Sequence, residues 1–126
     1  MESRLYKKLK ENLPNCTINK LENRGFLGIP DLLIGFSRLK FVLIELKVVE
    51  KGKKIRFSPH QIAFQLKHKD LPCFTLVEWK PKDLLLLYHA NQIEDLLAKG
   101  CEAEPLLSYP MKKILWNMLK LKLITV

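Results

Sequence analysis

The chain has 126 residues and a mass of 14.7 kDa, the size of one domain, and its 48% hydrophobic and 28% charged residues describe an ordinary globular core rather than a disordered or fibrous chain. Its longest apolar runs, Phe41 to Ile44 and Leu84 to Tyr88, are far shorter than the roughly 18 residues of a membrane span, and Arg4, Lys7, Lys8 and Lys10 lie inside a helical pattern rather than ahead of an apolar one, so neither a membrane span nor a secretory signal is expected. The net charge is +9, and the stretch from Arg38 to Lys69 holds +7 of it, nine basic residues against Glu45 and Glu50, which suits a polyanion partner or a merely solubilising basic face.

In chain order, Glu2 to Leu13 reads as an amphipathic helix stopped by Pro14. Thr17 to Leu21 is a candidate short strand and Asn23-Arg24-Gly25 a turn. Asp31 to Phe36 follows the Gly28-Ile29-Pro30 turn as a short apolar strand, and Lys40 to Val49 is a strand with apolar residues on both faces, hence central in its sheet. After the polar turn Lys51-Gly52-Lys53-Lys54, Ser58-Pro59-His60-Gln61 announces a helix to about Lys69: a serine cap, proline in the first helical position and glutamine three residues after the cap. Cys73 to Trp79 and Leu84 to Tyr88 are further strands, separated by Lys80-Pro81-Lys82. Helices over about Asn91 to Lys99 and Pro110 to Lys122 complete a single α/β domain over residues 1–126, of order α-β-β-β-α-β-β-α-α.

Four charged residues, at three places along the chain, stand where the pattern calls for apolar ones. Alternation along the central strand puts Phe41, Leu43, Glu45 and Lys47 on one face, so a carboxylate and an ammonium project side by side from a buried strand, at a cost of several kcal/mol unless paired or ligating. A structural Glu-Lys pair is the alternative. Asp31 enters the neighbouring strand, and hairpin strands carrying Asp31 and Glu45 can bring two carboxylates and the Leu46 carbonyl to one hard cation such as Mg2+. At 100° per residue, Glu2 lies inside the apolar stripe of Leu5, Tyr6, Leu9 and Leu13, pointing inward as a possible further ligand or else complementing the helix dipole. The basic residues Lys51, Lys53, Lys54 and Arg56, with Lys67 on the following helix, are candidate phosphate contacts. Cys16, Cys73 and Cys101 show no CxxC or close histidine spacing, so no disulfide framework or zinc knuckle is expected and a reducing, cytoplasmic setting is the default. His60 and His68 make no recognised metal spacing with Cys73, Trp79 and Tyr88 read as packing residues, and the apolar stripe of Met111, Ile114, Leu115, Met118, Leu119 and Leu121 is core or a dimer contact.

The ordered combination Gly28-Ile29-Pro30-Asp31, Ile44-Glu45-Leu46-Lys47 and Phe57-Ser58-Pro59-His60-Gln61 resembles the PD-(D/E)xK nuclease superfamily, and more narrowly the small stand-alone virus-type replication-repair nucleases of phages and bacteria, over about residues 1–80. That resemblance implies a restriction-endonuclease-like core, Mg2+ or Mn2+ held by Asp31 and Glu45, and Lys47 orienting the attacking water and stabilising charge at the phosphate. It places Gln61 in the same site, although Gln61 also fits as the capping partner of Ser58, and it aligns Glu2 with the first-helix glutamate. Stand-alone members are similar to dimeric Holliday-junction resolvases, so the expected activity is metal-dependent cleavage of branched DNA in repair or recombination, by a homodimer acting on a four-way junction. A flap or nicking nuclease, or a basic DNA-binding module with little catalysis, are the alternatives.

Overall fold

The computed structural model describes residues 3–21, 28–37 and 40–126. Among these, four α-helices and six strands build an α/β fold around one mixed, open sheet with strand order β1-β2-β3-β4-β5-β6. The elements are α1 (Ser3–Asn12), β1 (Thr17–Lys20), β2 (Leu32–Ser37), β3 (Lys40–Val49), α2 (Pro59–Lys67), β4 (Cys73–Trp79), β5 (Leu84–His89), α3 (Ile93–Lys99), β6 (Leu107–Pro110) and α4 (Trp116–Thr125). Every neighbouring pair is antiparallel except β3 and β4, which run parallel because α2 carries the chain across between them.

The sheet is covered on both faces. On one face Val42, Ile44 and Leu46 of β3 pack with Leu32 and Ile34 of β2 beneath α1 (Leu5, Leu9) and α4 (Leu119, Leu123). On the other, Val77, Leu86 and Tyr88 pack with Ile93 and Leu96 of α3 and with Ile55. The two-sided burial expected of Lys40–Val49 is thus present, and the alternation holds: Val42, Ile44 and Leu46 are buried in the first layer while Glu45 and Lys47 face the second.

The C-terminal third departs from the expected order. A sixth strand stands between α3 and α4, so the order is α-β-β-β-α-β-β-α-β-α, and the helix expected from Pro110 begins only at Trp116. Pro110 ends an edge strand instead of opening a helix. Its register partner is Leu84, and an edge strand tolerates a residue without an N–H. The reason lies in β5, Leu84-Leu85-Leu86-Leu87-Tyr88-His89: buried from Leu85 onward, it needs a strand on each side, and β6 supplies the second. Leu119 and Leu123 of α4 join the core, whereas Leu115, Met118 and Leu121 are exposed, so the apolar stripe expected there is split between core and surface. The expected Asn23-Arg24-Gly25 turn lies outside the described residues.

Candidate active site

Pairing between β2 and β3 ends at Leu32↔Ile44, whereas β3 continues to Val49 against β4. Among the described residues, β3 therefore has one edge not covered by β2 over its last five positions, and the side chains that stood out in the sequence gather there. Asp31, just before β2, turns its carboxylate onto this edge: Oδ2 accepts a 2.9 Å hydrogen bond from the Leu46 N–H. The N–H and C=O of one strand residue point to the same side, so the Leu46 carbonyl lies on the edge that Asp31 occupies.

Glu45 is only 4% exposed. Its Oε2 accepts from Gln61 Nε2 at 3.1 Å and lies 3.6 Å from Lys47 Nζ. Lys47 Nζ in turn donates to Gln61 Oε1 at 3.0 Å and sits 4.9 Å from the centroid of the Phe57 ring. One amide thus bridges the acid and the ammonium. The same Gln61 closes the capping box of α2, its Oε1 accepting from the Ser58 N–H at 3.0 Å while its own N–H donates to Ser58 Oγ at 3.1 Å. The two roles open to Gln61 in the sequence are both filled, and they support each other: the cap holds the side chain in the rotamer that reaches Glu45 and Lys47.

Gly28 brings Asp31 to this helix. Its φ of +87° lies in the left-handed region, and a Cβ there would collide with the His60 carbonyl in the first turn of α2. The Gly28-Ile29-Pro30 turn is thereby seated on α2, with Asp31 delivered beside Glu45.

The electrostatics follow from this crowding. Burial, the Asp31 carboxylate and a hydrogen bond to it push the Glu45 pKa up to about 8, against the smaller opposing pull of Lys47. Two acids forced together in a site too poor in solvent to ionise both are a poor structural pair and a good ligand pair, because a hard cation would relieve the repulsion that Lys47 only partly offsets. Among the described residues no group of three or more histidine, cysteine, aspartate or glutamate side chains is placed to hold a metal. The oxygens that could hold one are those of Asp31, Glu45 and the Leu46 carbonyl, a set that would suit Mg2+ or Mn2+, ions that take one or two carboxylates and complete their shell with water and substrate phosphate. Glu2 lies outside the described residues.

No protein-family model matches the chain, and no characterised protein does.

Beside the acids, a cavity of about 480 Å³ opens along the end of β3, lined by Lys47, Lys51, Lys54 and Arg56, by Glu50, and by Val48, Val49 and Ile55. The turn that forms it is pinned from behind. Trp79 Nε1 donates to the Gly52 carbonyl at 2.6 Å, the Cys101 N–H to the Lys53 carbonyl at 2.8 Å, and Lys53 Nζ pairs with Glu102. Glu50, at the start of the turn, is paired with Lys80 at 3.2 Å. The candidate phosphate contacts therefore separate. Lys51, Lys54 and Arg56 line the cavity, Lys53 is turned to Glu102, and Lys67 lies in the last turn of α2, roughly 9 Å along the helix from Gln61.

The other polar candidates stay apart from this site. His68 Nδ1 donates to the Phe64 carbonyl at 2.7 Å and its ring stacks on Phe64, while burial, with the Glu45 charge adding to it, pushes the Cys73 thiol up to about 12, so it is no ready thiolate. Tyr88 is a packing residue whose hydroxyl donates to the Ala103 carbonyl at 2.9 Å. The sequence places Gly28 in a turn, Phe57 in a motif and Trp79 in packing, and gives none of the three a part in shaping the site. Each acts through a contact between segments distant in the chain, and only the register Val49↔Trp79 reveals why an indole at that strand end reaches the turn.

Proposed function

We propose that this protein is a Mg2+- or Mn2+-dependent DNA endonuclease with a restriction-endonuclease-like core, acting on branched DNA and, as a homodimer, on four-way junctions. The observation that carries the reading is the meeting of Asp31, Glu45, Lys47 and Gln61 at one open strand edge next to a cavity lined by four cations. Asp31, Glu45 and the Leu46 carbonyl would hold the ion, which supplies Lewis acidity at the phosphoryl oxygen and acidifies water at neutral pH.

The chain's own residues account for the rest of the reaction. Lys47, held by Gln61 and the Phe57 ring, presents fixed positive charge to the phosphate as negative charge builds in the transition state. Gln61 keeps Lys47 and Glu45 in a fixed mutual geometry, so that little reorganisation is needed when substrate arrives. Lys51, Lys54 and Arg56 bind phosphates flanking the cut, which positions the strand without reading its sequence. A water oxygen attacks phosphorus, the bond from phosphorus to the 3′ oxygen breaks, and the leaving oxygen takes a proton, giving a 5′-phosphate and a 3′-hydroxyl. For the junction, a twofold dimer would present two equivalent sites to symmetry-related strands.

The test uses an end-labelled four-way junction, a flap and plain duplex, each incubated with Mg2+, Mn2+ or EDTA. Paired symmetric cuts in the junction that vanish in EDTA are expected. Asp31→Asn, Glu45→Gln and Lys47→Ala should each lower the rate by at least about a hundredfold while largely retaining DNA binding. Full activity in any of them refutes the assignment, and no metal-dependent cleavage of any substrate leaves only a DNA-binding module.

A further inference from the structure

We infer that the cavity at the end of β3 is a binding site for a single unpaired nucleotide, a reading that rests on the proposed nuclease function and gives the site its means of choosing branched DNA. Three properties of the cavity point there. Its volume of about 480 Å³ is that of a small-ligand site, not of a shallow phosphate contact. Its lining is mixed: Lys47, Lys51, Lys54 and Arg56 supply charge for a phosphate, Val48, Val49 and Ile55 supply apolar surface for a base, and the carboxylate of Glu50 is paired with Lys80. It is also preformed, because the Trp79, Cys101 and Glu102 contacts hold the turn from behind, so a ligand does not have to order it.

The strand edge adds a fourth property. Val48 is two residues beyond Leu46, so its N–H and C=O point to the same edge as those of Leu46, beyond the end of the β2 ladder. A base entering beside Val48 meets a backbone donor and acceptor, with Val49 and Ile55 on the face that Lys47 shares. Paired DNA can touch the cations at the rim but cannot place a base in such a site, since its bases are stacked. A nucleotide at a branch point, flap or frayed end can turn into it at little cost. Lys47 lines the cavity and also bonds Gln61, so the nucleotide that enters is next to the phosphate at the acids.

Electrostatics alone predict the opposite preference. Duplex has the higher charge density and releases more counterions per contact than a single strand, so a merely basic face binds duplex more tightly. The experiment therefore compares, in EDTA and at one salt concentration, a short single strand containing 2-aminopurine with a flush-ended duplex carrying the same strand. The single strand should bind at least about tenfold more tightly, a preference within what one base contact contributes. Deoxyadenosine monophosphate should displace the single strand from the unmodified protein where inorganic phosphate at matched ionic strength does not, a readout that needs no variant to fold. Equal or tighter duplex binding, or displacement by phosphate as effective as by the nucleotide, overturns the inference. Neither result depends on cleavage: a protein that prefers single strands but never cuts loses the nuclease reading alone, and one that cuts without the preference loses only this site.

Discussion

Among the described residues, Glu45 is the carboxyl group that the fold makes hardest to ionise, and the cost is measurable. In the unfolded chain it releases its proton near pH 4.5, whereas in the fold burial and Asp31 delay release to about pH 8. Between those values the native state holds a proton that the unfolded state has lost, so the fold is favoured at the acid end and loses stability as pH rises through the window. At about 1.4 kcal/mol per pH unit the loss amounts to a few kcal/mol once pH 8 is passed. Thermal unfolding in EDTA should show a midpoint that falls from pH 5 to pH 8, apart from the contributions of other groups. Glu45→Gln should flatten that decline and raise the pH 8 midpoint by at least about 5 °C, while abolishing cleavage. A variant that is more stable and inactive marks a residue kept for chemistry; one destabilised at pH 8 would mean that the Lys47 pair outweighs the burial, and that Glu45 is structural. Added Mn2+ should stabilise the unmodified protein and not Glu45→Gln, since only the former has both carboxylates.

At the scale of elements, the parts that carry the site were the parts most legible in the sequence. Lys40–Val49 appears with the bounds its alternation predicts, and the Ser58-Pro59-His60-Gln61 cap opens α2 where expected, because both signals are local: side-chain period in one, backbone satisfaction in the other. The C-terminal third was not legible for the opposite reason. Leu107–Pro110 is four residues long, too short to display a period, and its existence follows from the need of β5 for a second neighbour. Site contacts made across distant segments were equally hidden, and Gly28 is the sharpest case. Replacing it with alanine demands a positive φ from a residue with a Cβ and drives that atom into the His60 carbonyl. A loss of about 2–3 kcal/mol in denaturant unfolding is expected. Where the variant remains folded, cleavage should fall by about a hundredfold, because Asp31 shifts relative to Glu45. Unchanged cleavage in Gly28→Ala would mean that Asp31 is placed by β2 alone.

At the scale of the whole molecule, the net charge of +9 acts through a small part of itself. Lys53 belongs to the basic stretch by sequence but is spent on Glu102, and Lys67 sits away from the cavity, so the cations that would face a bound strand next to the acids are Lys47, Lys51, Lys54 and Arg56. Four phosphates neutralised on duplex would make the logarithm of the binding constant fall with the logarithm of salt concentration at a slope of about −3.6, far less than a slope set by all the basic residues. Measured by anisotropy in EDTA, Lys54→Ala and Arg56→Ala should each flatten that slope by about 1 and weaken binding at low salt. Lys53→Ala should leave the slope unchanged and act only slightly on stability, because its ion pair with Glu102 is exposed on both sides. If Lys53→Ala changes the slope as much as Lys54→Ala does, the turn is not held as the Trp79 and Cys101 contacts hold it, and the basic stretch binds DNA as a diffuse field. If the two separate, affinity depends on which lysines the fold leaves facing the strand, and the same pinned turn that removes Lys53 from the count is what aims the other three.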